Sequence, residues 1–389
     1  MSQLDIRKKD TLPKQVYYDI VITNVKSETT DPPILQFNEN RANPIIQNTG
    51  EYYLSIIRFQ VDSTSLPIFI PEIQTGQSDP NKTIYSVTLE YLGTAVQTYL
   101  VWTPQNQAVQ TPPPPSSQAN GLQAFSEYYY AYNYQALIYM IYKALQDCFD
   151  DLVIATGGAT SPIVNAHAPV ITWDNQSNTA VISAESAYYN RGVPTLVPNP
   201  ITLYFNASLF NLFSSFPCRY EGISGVTLGR NYIIEIFQDD TNTIYLPVSA
   251  PSASQYVATQ LQQEYSTTAT WTPISSIVFC SNTLPIVSNM LSAPLVYNDG
   301  RVIQALSGNN ANFAQIITDL ASNDNNYKPN LLYEPSAQYR YIDMFGNQPL
   351  TNIDVSVFWK SKLGILVPFK LNSGSSCSLK FLFQRKDSI

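Results

Sequence analysis

The sequence predicts an all-β fold, an elaborated β-sandwich with one substantial helix and long decorating loops, and three stretches carry that prediction. Within 349–386 two runs of two-residue periodicity flank a turn-rich connection. Ile353, Val355, Val357 and Trp359 fall on one side against Asp354, Ser356 and Lys360, with Phe358 the exception; Cys377, Leu379, Phe381 and Phe383 alternate with Ser376, Ser378, Lys380 and Gln384. Such alternation marks half-buried strands. Near the other end Tyr53, Ser55, Ile57, Phe59 and Val61 alternate with Tyr52, Leu54, Ile56, Arg58 and Gln60. Two strands alone bury too little to be stable, so these runs belong to one larger sandwich in which the chain ends meet. The third stretch, 134–153, carries a helical stripe of Leu137, Ile141, Leu145, Cys148 and Leu152, with Gly157 and Gly158 beyond its end.

In chain order, residues 1–15 are a polar, basic arm, and 16–389 form one elaborated body with inserted decoration over roughly 103–200. Tyr17 to Val25 reads as the first strand, and 27–49 as a loop rich in Asn, Thr and Pro. Thr83 to Tyr91 and Ala95 to Trp102 form a hairpin through Leu92-Gly93. The four prolines at 112–115 make an extended exposed loop. Strands follow at 170–173 and 179–183, then at 201–205, where Asn206 caps a short helix carrying Leu209, Leu212 and Phe213. Tyr232 to Phe237 and Thr243 to Val248 read as a hairpin around Asp239–Asn242, 256–266 is ambiguous, and Ile274 to Cys280 is a strand.

Charged residues make up 13% of the chain, against roughly 25% in ordinary domains, and 27 tyrosines stand among many Thr, Ser, Asn and Gln. A largely neutral surface suits contact with other subunits, because charges are costly to desolvate while Tyr offers area and one hydrogen bond. The net charge of −8 is uneven: 1–14 carries +2, 340–389 carries +4 and the rest −14. Basic ends suit an anionic neighbour such as packaged nucleic acid, or are ordinary solvated termini. Cys148, Cys218, Cys280 and Cys377 are widely spaced in apolar surroundings, so they are expected to be reduced and buried. A polar segment follows Met1, so no secretory signal is expected unless one was removed before this numbering begins, and no apolar run approaches the ~20 residues of a membrane span.

His167 is the only histidine, so His-based acid and base pairs and histidine-rich metal sites are excluded, and it reads as a loop residue. Gly222-Ile-Ser224-Gly225 is one residue short of a nucleophile elbow. No phosphate-binding glycine loop or dinucleotide fingerprint occurs. Asp147, Asp150 and Asp151 crowd the helix end, where a carboxylate pair can serve glycoside hydrolysis or hold a cation, although a solvated helix end explains them as well. Asp239 and Asp240 belong to a turn. The chain is therefore expected not to be an enzyme and to need no cofactor or metal.

Beyond residue 260 several segments occur in order: Gln263-Glu-Tyr-Ser266, Trp271 through Phe279, Ser281-Asn-Thr-Leu-Pro285, Tyr333-Glu-Pro335, Gln338 through Asp343, Pro349-Leu350, Ile353 through Trp359 and Leu379 through Lys386. Together with Asn206 to Pro217 they resemble the minor capsid, or penton, proteins of virophages and Polinton-like double-stranded DNA viruses. The resemblance covers nearly all of the last third and thins over 100–200. It implies a jelly-roll protein, made in the host cytoplasm, that forms a homopentamer closing the five-fold vertices of an icosahedral virion among trimers of a double-jelly-roll major capsid protein. On that reading Arg7, Lys8 and Lys9 are a candidate assembly arm toward packaged DNA or internal capsid proteins, while the strand alternation itself makes Val355, Val357, Trp359, Leu379, Phe381 and Phe383 the candidate core of the closing strands. The alternative is a receptor- or carbohydrate-binding β-sandwich module of a viral or cell-surface fibre.

Overall fold

The computed structural model describes residues 13–25, 34–106, 109–115, 126–192, 194–222, 227–239, 241–248, 254–287, 294–296, 302–304, 315–321, 330–333 and 340–388. The chain divides into two compact units, one made of 1–66 with 274–389 and the other of 67–273. This division differs from a single body decorated over 103–200. The break falls directly after the first three strands, at Leu66-Pro67, where no Gly/Ser-rich linker announces it.

The first unit is built from eight principal strands: β1 (Gln15–Thr23), β2 (Gln36–Asn40), β3 (Tyr52–Asp62), β4 (Ile274–Ser281), β5 (Gln315–Leu320), β6 (Asn330–Tyr333), β7 (Asn352–Ser361) and β8 (Ser376–Arg385). One antiparallel sheet runs β1-β8-β3-β6, with Ile342–Asp343 also on β3. The other runs β5-β4-β7-β2, with Leu366–Pro368 also on β7. Except for β4 and β5, which pair with each other, successive strands switch between sheets, and the last strand sits between the first and the third. That order makes two interlocked Greek keys, the jelly roll. The 67–273 unit is inserted between β3 and β4.

The sandwich core forms where the inner faces meet. Phe59 of β3 touches Phe279 of β4 edge-on at 4.8 Å, and Tyr18 of β1 lies 6.5 Å from Phe37 of β2. β2 falls within the stretch whose composition predicts a loop, because Gln36-Phe-Asn-Glu-Asn40 has a single apolar residue; pairing with β7, from Asn352↔Asn40 to Ser356↔Gln36, supplies the order that its composition does not. The β3 alternation also needs correction. Tyr52, Leu54 and Ile56 are buried, then Phe59 and Val61, so the inward phase changes around Ile57. The register against β8 shifts there, between Lys380 and Phe381, and a β-bulge turns one alternating run into two half-runs of opposite phase.

In the inserted unit one sheet runs Thr94–Val101, Lys82–Tyr91, Thr202–Phe205, Tyr232–Ile234, Cys218–Tyr220, and a second runs Thr243–Pro247, Gln255–Gln262, Thr179–Glu185, Val170–Asp174. Leu92 and Gly93 make the first hairpin turn, with φ of 49° and 81°. Helix α1 (Tyr134–Ala155) starts at Asn133, whose side chain accepts from the Ala136 amide. Its stripe of Leu137, Ile141, Leu145, Cys148 and Leu152 is buried, and it packs on the 82–101 hairpin and on the 170–174 strand. Asn206 caps the short helix Ala207–Leu212 by accepting from Leu209 N, and it also accepts from Ser86 N and donates to Ile84 O. The expected hairpin of 232–237 with 243–248 does not form: Tyr232–Ile234 and Thr243–Pro247 lie in different sheets. The Asp239 carboxylate accepts from Thr241 N and Asn242 N, closing a local turn, while Asn190 Oδ1 accepts from Gln238 N, so the chain is pinned before it can return on its own strand.

Candidate assembly surface

Val355, Val357 and Trp359 of β7 and Leu379, Phe381 and Phe383 of β8 all point into the jelly-roll core, none of them above 3% exposed. They hold the two sheets together rather than meeting a partner. Arg7, Lys8 and Lys9 lie outside the described residues, as do Ser224 and Asp240. The chain before β1 is anchored where description begins: Tyr52 Oη donates to Pro13 O at 2.9 Å, and Arg385 N donates to Lys14 O at 2.9 Å.

The basic C-terminal stretch is largely neutralised within its own unit. Lys360 pairs with Asp319 at 3.0 Å, Lys380 with Asp19 at 3.2 Å, Arg385 with Asp387 at 2.7 Å and Lys386 with Asp343 at 2.9 Å. Asp354, which the alternation of β7 assigned to solvent, is only 7% exposed. It accepts from the Ser281 hydroxyl, from Thr283 Oγ1 at 2.5 Å, from Asn282 N at 2.7 Å and from Thr283 N at 3.0 Å. Burial pushes its carboxyl up, but these donors outweigh burial and hold it below the usual carboxylate value. Asp354 thus fixes the exit of β4 onto β7.

The residues with chemical potential in the inserted unit are also spoken for. Asp147 pairs with Lys143 at 2.6 Å one helical turn away, while Asp150 and Asp151 are exposed. His167 stacks on Tyr256 with ring centroids 4.1 Å apart, and its Nδ1 lies 2.8 Å from Glu185 Oε2. Burial pushes the Cys148 thiol up to about 11, and its Sγ faces Val96 O, so it is not poised as a nucleophile. Among the described residues no three His, Cys, Asp or Glu side chains converge as a metal site, and no helix is long and apolar enough to cross a membrane. A shallow cleft of about 370 Å³ at the end of β3 is lined by Gln60, Asp62, Thr64, Gly374, Ser375, Ser376 and Ser378. Its carboxylate already accepts from Thr64 N and Ser375 Oγ.

The surface itself is less tyrosine-rich than the composition suggests. Tyr52, Tyr85, Tyr128, Tyr129, Tyr130, Tyr189 and Tyr204 are buried, whereas Tyr17, Tyr139, Tyr220, Tyr245 and Tyr265 are more than half exposed. Charge separates by unit. The insertion, 67–273, has 14 acidic and 5 basic residues, a net of −9, while the remainder has 15 acidic and 16 basic, a net of +1.

The family model of the Sputnik minor capsid protein V18/19 matches residues 16–385. The chain belongs to this family. It is therefore a structural capsid protein, in keeping with the virophage resemblance of its last third. Structural protein V19 of Sputnik virophage is 31% identical over 213 residues, 54% of this chain and 92% of that protein. Sputnik protein V18 is 33% identical over 153 residues, 39% of this chain and 90% of that protein. A chain in the cryo-EM structure of the Sputnik virophage superposes with a TM-score of 0.77 at 27% identity, covering 97% of this chain and 99% of that one. The mavirus penton protein shares the fold, with a TM-score of 0.61 at 16% identity over 95% of this chain and 99% of that one.

Proposed function

We propose that five copies of this capsid protein form a ring that closes the five-fold vertices of an icosahedral double-stranded DNA virus shell, among trimers of a double-jelly-roll major capsid protein. The observation that carries the reading is the complete eight-strand jelly roll in a member of the V18/19 family. A sandwich whose sheets are locked by Phe59, Phe279, Trp359 and Phe381 is a stiff wedge, which can repeat about an axis without deforming. The basic arm before Pro13 faces the inside of the shell, where Arg7, Lys8 and Lys9 gain from packaged DNA or from acidic surfaces of internal capsid proteins. The inserted unit, at −9, gains nothing from DNA. The protein is made in the host cytoplasm, acts only after assembly, and has no catalytic role.

The purified full chain tests the oligomer directly. Native mass spectrometry should show a particle of five 43.5 kDa chains. A stable monomer, dimer or trimer at micromolar concentration, unchanged by the presence of the other shell proteins, contradicts the ring.

A further inference from the structure

We propose that the free edge of β1 is a docking site for an extended, uncharged strand contributed by another protein of the shell, an inference that rests on the capsid reading above. Hydrogen-bond parity fixes which backbone groups of β1 face outward. Arg385 N donates to Lys14 O and Asn24 N donates to Ser375 O, and both are directly opposed pairs in the β1–β8 register. That register runs from Gln15↔Gln384 to Thr23↔Ser376 without a shift. In an antiparallel ladder, residues alternate between bonding the neighbour and facing away from it. The even-numbered residues of β1 therefore bond β8. Gln15, Tyr17, Asp19, Val21 and Thr23 turn their backbone N–H and C=O groups to the open side. The same five residues are the exposed ones of the strand. Among the described residues no other strand pairs with β1.

Natural sheets blunt such an edge with proline, charged side chains, a bulge, a covering segment or brevity. β1 is nine residues long, regular, free of Pro and Lys, and rich in Val, Ile and Tyr; Asp19 is its one charged residue. The other edges of the two sheets, β2, β5 and β6, are five, six and four residues long. A row of alternating donors and acceptors is complementary to one kind of partner, an extended backbone. The flanking side chains narrow its character. Tyr17 and Val21 are 52% and 69% exposed and continue as an apolar row on a neighbouring strand. Asp19 between them is already neutralised by Arg58 at 3.0 Å and Lys380 at 3.2 Å, so no opposite charge is called for. A second copy of β1 is a poor occupant. Antiparallel pairing of two copies of β1 over the full strand needs a two-fold axis, which a ring of five lacks.

Residue-resolved amide hydrogen exchange on the full chain, alone and in virions, tests the proposal. The amides of Tyr17, Asp19 and Val21 should exchange quickly in the purified protein and slow at least tenfold in the virion, while those of Tyr18 and Ile20 are protected in both. Val21→Pro, whose lost N–H bonds nothing within the sheet, should leave the melting temperature and native mass of the purified chain unchanged and reduce its incorporation into particles at least tenfold. Should Val21→Pro fail to fold, the exchange pattern of the parent chain decides alone. Fast exchange of the odd-numbered amides in the virion overturns the proposal. Protection already present in the purified chain assigns the edge to a second copy and overturns the occupant named here. The mass of the purified particle reports separately on the ring, so its failure is distinguishable from failure of the edge.

Discussion

At Asp354 a carboxylate occupies a position that strand alternation assigns to solvent, and four donors from Ser281, Asn282 and Thr283 surround it. Their effect is to hold its folded-state pKa below the unfolded value, so its stabilisation is present above about pH 4 and is lost as pH falls through the folded pKa. Asp319, held low against burial by Lys360 and Ser276, acts in the same direction. The jelly-roll unit is therefore predicted to lose thermal stability as pH falls below about 4. Asp354→Asn is predicted to cost on the order of 1–3 kcal/mol at neutral pH and to flatten that acid dependence. An unchanged acid limb in the variant, measured by calorimetry, would show that Asp354 is not the linked group. Such a residue is hidden from sequence reading because its donors lie some seventy residues away. The core positions are the opposite case, since Trp359 and Phe381 sit in alternations that can be read directly from the sequence. Truncating either to Ala should cost about 3–5 kcal/mol, measured by denaturant unfolding. A cost under about 1 kcal/mol would contradict the packing described.

Among elements, those specified by neighbours in sequence were legible and those specified by distant partners were not. The 82–101 hairpin is announced by Leu92-Gly93 because only that turn lets both strands continue with the right twist. Helix α1 is announced by its stripe and by the glycines beyond it. β2 has no such local signal, and the 235–242 connection has turn residues whose side chains bond elsewhere than a hairpin needs. Asn206 combines both kinds of information, a local cap and two bonds to the strand at 84–86. Asn206→Ala should thus cost more than an ordinary cap, about 2 kcal/mol rather than about 1, by thermal or chemical unfolding. At the other helix end, replacing Asp147, Asp150 and Asp151 together with Asn removes charges that oppose the helix dipole. It should change stability by no more than about 1 kcal/mol and leave assembly intact. Loss of a hydrolytic activity in that variant would contradict a purely structural role.

For the whole molecule the sequence showed that the ends are basic and the body acidic, but not where the acidity is concentrated. The insertion carries −9 and the jelly-roll unit +1, a contrast that becomes visible only once β3 and β4 are known to be the strands the insertion separates. The proposed assembly arm rests on charge alone, since Arg7, Lys8 and Lys9 lie before the first described residue. Deleting residues 1–12 should leave the melting temperature within about 2 °C of the parent, because Pro13, Lys14 and β1 remain, yet lower incorporation into particles. A deletion that unfolds the chain would show the arm to be part of the body. The central claim is a position in the shell, and an icosahedral cryo-EM reconstruction of the virion tests it most directly. The account predicts five copies of this jelly roll around each five-fold axis with the chain leading from Pro13 directed inward; density for it at three-fold or local two-fold positions, or an arm directed into outer solvent, would contradict it.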